Sequence, residues 1–438
     1  MGVKVSKFGG TSLAGAEQFR RVRSIVLSDE ERRYVVPSAP GKRHDNDRKI
    51  TDLLYLCHAR SQQAAPFDEV FRIVEERYTS IVAGIGIDLD LAPELQMIKE
   101  RIACGASADY AASRGEYLSG IILAELLGYD FVDPTSFIVF DSRGVFDPES
   151  TQNLAVGVLS SHPRAVIPGF YGRMPNGMIK TFPRGGSDIT GAIVARGVNA
   201  SLYENWTDVN GFLMADPHIV DNPKPIEVIT YRELRELAYM GASVLHEESI
   251  FPVRAAGIPM NIRNTNAPED KGTLIVKDED RAPSPGTITG IAGRKDFTVI
   301  AVEKALMNTE LGFGRRLLSI LESNRISFEH MPTGIDTISV VISDCQLNNK
   351  LDQVLASIRS ELGPDSIEVH PNMALIATVG QGMARTPGIA AKLFSALANA
   401  GVNVRMIDQG SSEINIIVGV ETGDFETAVR AIYDAFVR

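Results

Sequence analysis

The stretch VKVSKFGGTS, residues 3–12, reads as an apolar strand that runs into two glycines and then opens a helix. Apolar residues recur at helical spacing beyond it, through Leu13, Phe19, Val22, Ile25 and Val26, with Thr11 and Ser12 placed as N-caps. Gly9 and Gly10 let the backbone turn sharply and bring N–H groups against an anion at the positive end of a helix. Lys7 adds a full charge one step earlier. A helix dipole supplies only about 0.3–1 kcal/mol per charge, so the lysine and the aimed N–H groups must hold most of a triphosphate. The same pattern also makes an ordinary αβ turn, and the rest of the chain has to decide.

Residues 181–192, TFPRGGSDITGA, repeat the device, with Ser187 as N-cap and Arg184 and Asp188 flanking the glycines. Two Gly-Gly helix openings, one beside a lysine and one beside an arginine, form two anion cradles. Between them, residues 34–36 read as a strand entering the charged stretch PSAPGKRHDND, 37–47. This is a solvated loop, or a strand-end loop with substrate contacts. Helices are expected at 68–82, 92–102 and 113–127, the last putting Glu116 on a first turn where the dipole alone would account for an acid. Strands are expected at 165–170 and 201–206. The second ends in Thr207 and Asp208, at a carboxyl end where ligands of open α/β sheets lie. Helices at 231–240 and 246–255 and a strand at 260–263 complete an alternating α/β unit.

At 438 residues the chain suggests roughly three domains. Asp and Glu outnumber Lys and Arg by 55 to 44, with no basic run, which argues against a nucleic-acid surface. No apolar run is long enough for a bilayer, and Lys4 and Lys7 stand where a signal peptide would be apolar, so the expected location is cytoplasmic. Cys57, Cys104 and Cys345 form no CxxC pair; Cys57 and Cys104 read as core residues, and no zinc or disulfide framework is expected. P-loop, dinucleotide and protein-kinase signatures are absent. Composition turns to prolines and mixed charge over 266–286, and the chain then repeats itself. Strand, glycine turn and amphipathic helix recur at 298–321 and 374–397, each followed by an alternating strand and a helix, giving two small βαββαβ modules.

KFGGTS at Lys7, RGEYLS at Arg114, GFYG at Gly169, RGGSD at Arg184, WTDVNG at Trp206, MGASVLH at Met240 and the two C-terminal repeats come in an order that resembles the aspartokinases of the amino-acid kinase superfamily. The resemblance implies an α/β/α kinase sandwich over 1–283, followed by ferredoxin-like ACT modules over 284–365 and 366–438. It implies phosphorylation of the side-chain carboxylate of L-aspartate from ATP with Mg²⁺, under feedback by lysine or threonine. Lys7 would bridge the transferred group while Gly9 and Gly10 cradle phosphate oxygens. Arg184 suits the α-carboxylate of aspartate and Glu116 its ammonium. By the same resemblance Ser187 and Thr51 line the substrate pocket, and Asp188 holds Lys7. Thr207, Asp208, Asp216 and Pro217 line the nucleotide pocket. Met307, Gly312 and Phe313 mark the effector site, and ACT pairing implies a homodimer or larger assembly. Departures from the family pattern fall at Ser243, Glu247, Leu213, His218 and the 37–49 loop. The alternatives are another kinase of the superfamily, or a weakened protein retained as an amino-acid sensor.

Overall fold

The computed structural model describes residues 2–183, 185–242, 251–280 and 286–438. The chain divides into two units, one of Met1–Phe212, Pro225–Tyr231 and Val244–Arg281, the other of Leu213–Lys224, Arg232–Ser243 and Ala282–Arg438.

The first unit is built on an eight-stranded sheet of β1 (Lys4–Phe8), β2 (Arg32–Pro37), β3 (Asp130–Phe131), β4 (Ala165–Val166), β7 (Leu202–Thr207), β8 (Val228–Thr230), β9 (Met260–Asn264) and β10 (Thr273–Val276), in the order β3-β4-β2-β1-β7-β9-β10-β8. The six strands from β3 to β9 run parallel; β10 is antiparallel to β9. A separate hairpin pairs β5 (Tyr171–Arg173) with β6 (Ile179–Thr181). β1 is buried along nearly its whole length, as expected of a central parallel strand covered on both faces. Alternation turns Phe8 and Trp206 to one face, where they stack at 5.9 Å. There they join a core made with α1 (Ala16–Leu27), α2 (Ile50–Gln62), α3 (Asp68–Ile85), α4 (Ala92–Ala103) and α5 (Ala108–Leu127). On the opposite face, α6 (Pro148–Ser160) packs on α7 (Gly186–Gly197), and α7 lies against β1, β2 and β7. The parallel register aligns Phe8 with Pro37 and Trp206, so the carboxyl ends of β1, β2 and β7 open at one edge.

Several local expectations move. Thr11–Leu13 form a single 3-10 turn, and α1 begins only at Ala16, capped by Gly15. Ser187 lies inside α7, whose cap is Gly185 at φ +58°. Glu116 stands in the third turn of α5, because that helix starts at Ala108 behind a Ser107 cap. The dipole argument for Glu116 therefore fails. Cys57 is buried and its thiol is pushed up to about 12 by burial, whereas Cys104 is exposed and not a core residue. The 246–250 part of the helix expected at 246–255 lies outside the described residues, and Phe251–Ala256 is helical.

The second unit carries a five-stranded antiparallel sheet of β11 (Gly290–Glu303), β12 (Thr337–Ser343), β13 (Ser366–Val379), β14 (Met406–Asp408) and β15 (Asn415–Glu421), in the order β12-β11-β13-β15-β14. β11 and β13 pair end to end, with a register shift around Arg294–Val299 and Asp296 at φ +70°. On one side of that irregularity Phe297–Glu303 pairs with β12 and with the start of β13, over a core of Ile300, Val302, Leu317, Val340 and Ile358. On the other, Gly290–Arg294 pairs with Leu375–Val379, and β15 continues the sheet over Ile291, Ile376, Leu393, Val418 and Ile432. The division drawn at 365/366 therefore separates Ile367, which packs on the first core, from its partners. It also leaves Ile288 and Ile291 on the wrong side of the second. Among the described residues no helix is long and apolar enough to cross a membrane.

Candidate active site

Lys7, on the α7 face of β1, meets Asp188 from the first turn of α7 at 2.6 Å, Nζ to Oδ1. Asn205, its register partner on β7, joins both: Lys7 Nζ donates to Asn205 Oδ1 at 3.3 Å and Asn205 Nδ2 donates to Asp188 Oδ1 at 2.9 Å. The ammonium is thereby oriented within a largely buried triangle. Asn205 carries no signal in the sequence, since only strand register brings it beside Lys7.

The glycine turn behaves differently from its expectation. Gly9 N–H extends the sheet ladder to Trp206 O at 2.9 Å, so it is not free for a phosphate. Gly10 N–H and Thr11 N–H have no acceptor among the described residues. They are the donors that remain available to an anion.

The segment after β2 is the hub. Ser38 Oγ donates to Ser187 Oγ at 2.8 Å, a Cβ on Gly115, next to Glu116, would lie 2.7 Å from Ala39 Cβ, and Gly41 N–H donates to Gly10 O at 2.7 Å. Gly10, Gly115 and Ser187 thus converge on four consecutive residues, and Asp188 carries Lys7 to the same place. The GFYG turn locks onto the α7 start. Phe170, at φ +85°, donates its N–H to Thr190 Oγ1 at 3.0 Å, and a Cβ on Gly169 would lie 2.5 Å from Ser187 Cβ. A bulky residue in that conformation is strained, and such strain clusters at functional sites.

Glu116 is 7 % exposed, and among the described residues its Oε2 has no hydrogen-bond partner. Burial pushes its carboxyl up to about 7, against the Ala39 hydrogen bond and the charge of Arg114. Arg114 itself is buried among the rings of Tyr117, Tyr110 and Tyr171, 4.4–5.0 Å from each centroid. Thr51 sits half-buried in the first turn of α2, directly after Ile50, whose methyl faces Gly115. Arg184 lies outside the described residues, as do Ser243 and Glu247.

At the end of β7, Thr207 Oγ1 donates to Asp208 Oδ1 at 3.2 Å, and Thr207 O accepts Thr265 N–H at 2.8 Å. Asp208 is exposed. Asp216 and Pro217 group with the second unit, in a turn where Asp216 Oδ1 accepts His218 N–H at 2.9 Å. There Ala215 and Val220 enter the second core. Of the effector candidates, Gly312 is left-handed at φ +78° and caps the helix Phe313–Ser323. Met307 and Phe313 are buried in the first core of the second unit, so their side chains are committed to packing. Leu311 beside them is 95 % exposed.

An open α/β sheet carries at its carboxyl edge a lysine–aspartate pair and N–H donors without an acceptor among the described residues, an arrangement suited to an anionic ligand. The amino acid kinase family model matches residues 2–264, and an ACT domain model matches 376–436. Aspartokinase 3 of Bacillus subtilis is 37% identical over 99% of this chain and 98% of its own length. The crystal structure of Clostridium acetobutylicum aspartate kinase, an allosteric enzyme, is 59% identical and covers 99% of this chain and 100% of its own, with a TM-score of 0.95. That of E. coli aspartokinase III with aspartate and ADP is 25% identical over the whole of both chains, with a TM-score of 0.73. The chain belongs to the aspartokinases.

Proposed function

We propose that the protein transfers the γ-phosphoryl group of ATP to the side-chain carboxylate of L-aspartate, giving 4-phospho-L-aspartate, the first step towards lysine, threonine and methionine. The observation that carries the substrate side is Glu116: a buried carboxylate with an unpartnered oxygen suits a cation from a ligand, and the ammonium of an amino acid is that cation. Arg184 would take the α-carboxylate, with Ser187 and Thr51 beside it. The nucleophile is ionised at neutral pH, its reference pKa being about 3.9, so no general base is needed. One carboxylate oxygen bonds the γ-phosphorus, the bond to the β-phosphate oxygen breaks, and ADP leaves. Catalysis is then positioning and charge neutralisation.

Lys7, fixed by Asp188 and Asn205, faces the transferred group. The Gly10 and Thr11 N–H groups receive phosphate oxygens, and Thr207 and Asp208 belong to the nucleotide side. Mg²⁺ keeps several waters and rides on nucleotide phosphates with one or two carboxylates. Asp188 Oδ2, which neither Lys7 nor Asn205 engages, and Asp208 are the candidates to hold it, and its charge would offset that of the phosphates.

The continuous pairing of β11 with β13 supports a nested arrangement, in which one ACT module, roughly 297–370, is inserted into a second formed by 286–294 and 373–438. Feedback by lysine or threonine would act through these modules, near Gly312. E. coli aspartokinase III has been crystallised with lysine and aspartate in a T-state. A homodimer or larger assembly in the cytoplasm completes the reading.

Incubation with ATP, Mg²⁺, aspartate and hydroxylamine tests it, because an acyl phosphate is trapped as a coloured hydroxamate. Aspartate-dependent colour is expected. Its absence, with lysine or threonine still bound, would replace the kinase by an amino-acid sensor, and colour with another acidic substrate alone would make it a different superfamily kinase.

A further inference from the structure

Arg77 lies in the middle of α3, far in sequence from every residue of the site, and is 2 % exposed. Its Nη1 donates to Gly41 O at 3.0 Å and its Nη2 to Asp47 Oδ2 at 2.6 Å. Asp47 is fixed in turn by Arg43 Nε at 2.9 Å and by the N–H groups of Arg43 and Arg48, each at 3.0 Å. The Arg43 hydrogen bond, against burial and with the help of Arg77, holds its carboxyl well below the usual range. The charged 37–49 loop is therefore pinned to α3 by a buried guanidinium.

The pin reaches the phosphate turn through the backbone. Gly41 N–H donates to Gly10 O at 2.7 Å. The contact is so close that a Cβ on Gly41 would lie 2.7 Å from Gly10 C and 2.8 Å from Thr11 N. Gly10 C=O and Thr11 N–H belong to one planar trans peptide, so a hold on that oxygen sets the direction of the N–H on the other side. Thr11 N–H is one of two donors at the turn without an acceptor among the described residues.

We propose that Arg77, held by Asp47, is a positioning residue for the phosphate donor: through Gly41 it aims the Thr11 N–H at the phosphate oxygens of the nucleotide. The inference rests on the kinase reading above. An arginine is required because two separate nitrogens of one rigid plane must reach a carbonyl and a carboxylate together, which a lysine point charge does not do.

The hydroxamate assay on the full chain, with ATP and aspartate varied separately, tests the proposal. If wild type gives no aspartate-dependent colour, the kinase reading fails, independently of Arg77. With wild type active, Arg77→Met raises KM for ATP by roughly tenfold, as expected when a contact is misaimed rather than removed, while KM for aspartate stays within about twofold. Arg77→Lys restores only part of the loss. Asp47→Asn, an exchange in the loop that leaves the buried cation in place, gives a smaller rise in KM for ATP and carries the test alone if Arg77→Met does not fold. Equal rises in both KM values would make Arg77 a merely structural residue and overturn the proposal. An unchanged KM for ATP in Asp47→Asn and Arg77→Lys would also overturn it.

Discussion

Glu116 and Glu204 are both buried carboxylates of the kinase unit, and they are treated in opposite ways. Glu204, on β7 and 1 % exposed, accepts Arg32 Nε at 2.8 Å and Nη2 at 3.1 Å, Ser6 Oγ at 2.8 Å and Trp206 Nε1 at 3.0 Å, with Arg263 Nη1 at 3.7 Å. Burial pushes its pKa up, but Arg32, Trp206 and Ser6 together bring it below its ordinary value. Glu116 has one oxygen without a partner among the described residues, and burial pushes its carboxyl up to about 7. A carboxylate that its own chain satisfies belongs to the scaffold. One left without a partner among the described residues is open to the cation of a ligand.

The strongest attack on this contrast is Glu204→Gln. It leaves Arg32 buried without its anion, and breaking one side of a buried pair costs about 3–5 kcal/mol. Denaturant unfolding should register that loss with little change in KM for aspartate in the surviving folded enzyme. A stability loss under about 1 kcal/mol would erase the distinction.

Next comes Glu116→Gln, for which the expected effects have opposite signs. KM for aspartate rises by roughly a hundredfold or more, as for loss of a buried charge pair with the ammonium. The ligand-free protein gains stability at pH 8, because a carboxylate held about 2.5 pH units above its ordinary value costs on the order of 3 kcal/mol when ionised. A destabilised Glu116→Gln protein would place this residue with Glu204.

The same group sets a pH dependence. Its folded pKa is raised, so its contribution to stability is full below about 4.5 and is lost as pH rises through about 7. Ammonium binding needs the ionised form, so kcat/KM for aspartate falls about tenfold per unit as pH drops below about 7, and Glu116→Gln flattens that limb. Smallest is Ser6→Ala, which removes one of several hydrogen bonds to Glu204 and costs roughly 1.5 kcal/mol, with activity intact.

Much of the site was legible in the chain. Lys7, Glu116, Ser187 and Asp188 stand out on chemistry and family resemblance, and Lys7, Ser187 and Asp188 meet at one edge of the sheet. Their supports were not. Asn205 enters by register, Ser38 and Gly41 by the close approach of two loops, and Arg77 by a helix that packs across the core. Glu204 and Arg32 stand 172 residues apart and share no motif. The Gly9 N–H is lost to the phosphate for a related reason: whether a backbone N–H is free depends on the neighbouring strand, which local sequence does not contain.

The sequence by itself determined the alternation of strands and helices, the two glycine turns with their cationic neighbours, and the repeated C-terminal pattern, because apolar periodicity and backbone freedom are properties of short stretches. Only the tertiary structure decided which buried charges are compensated, which N–H groups stay open among the described residues, and that two cores lie along the same pair of long strands, β11 and β13. Those outcomes depend on what each group meets across the fold. A carboxylate becomes scaffold or site according to its neighbours in space.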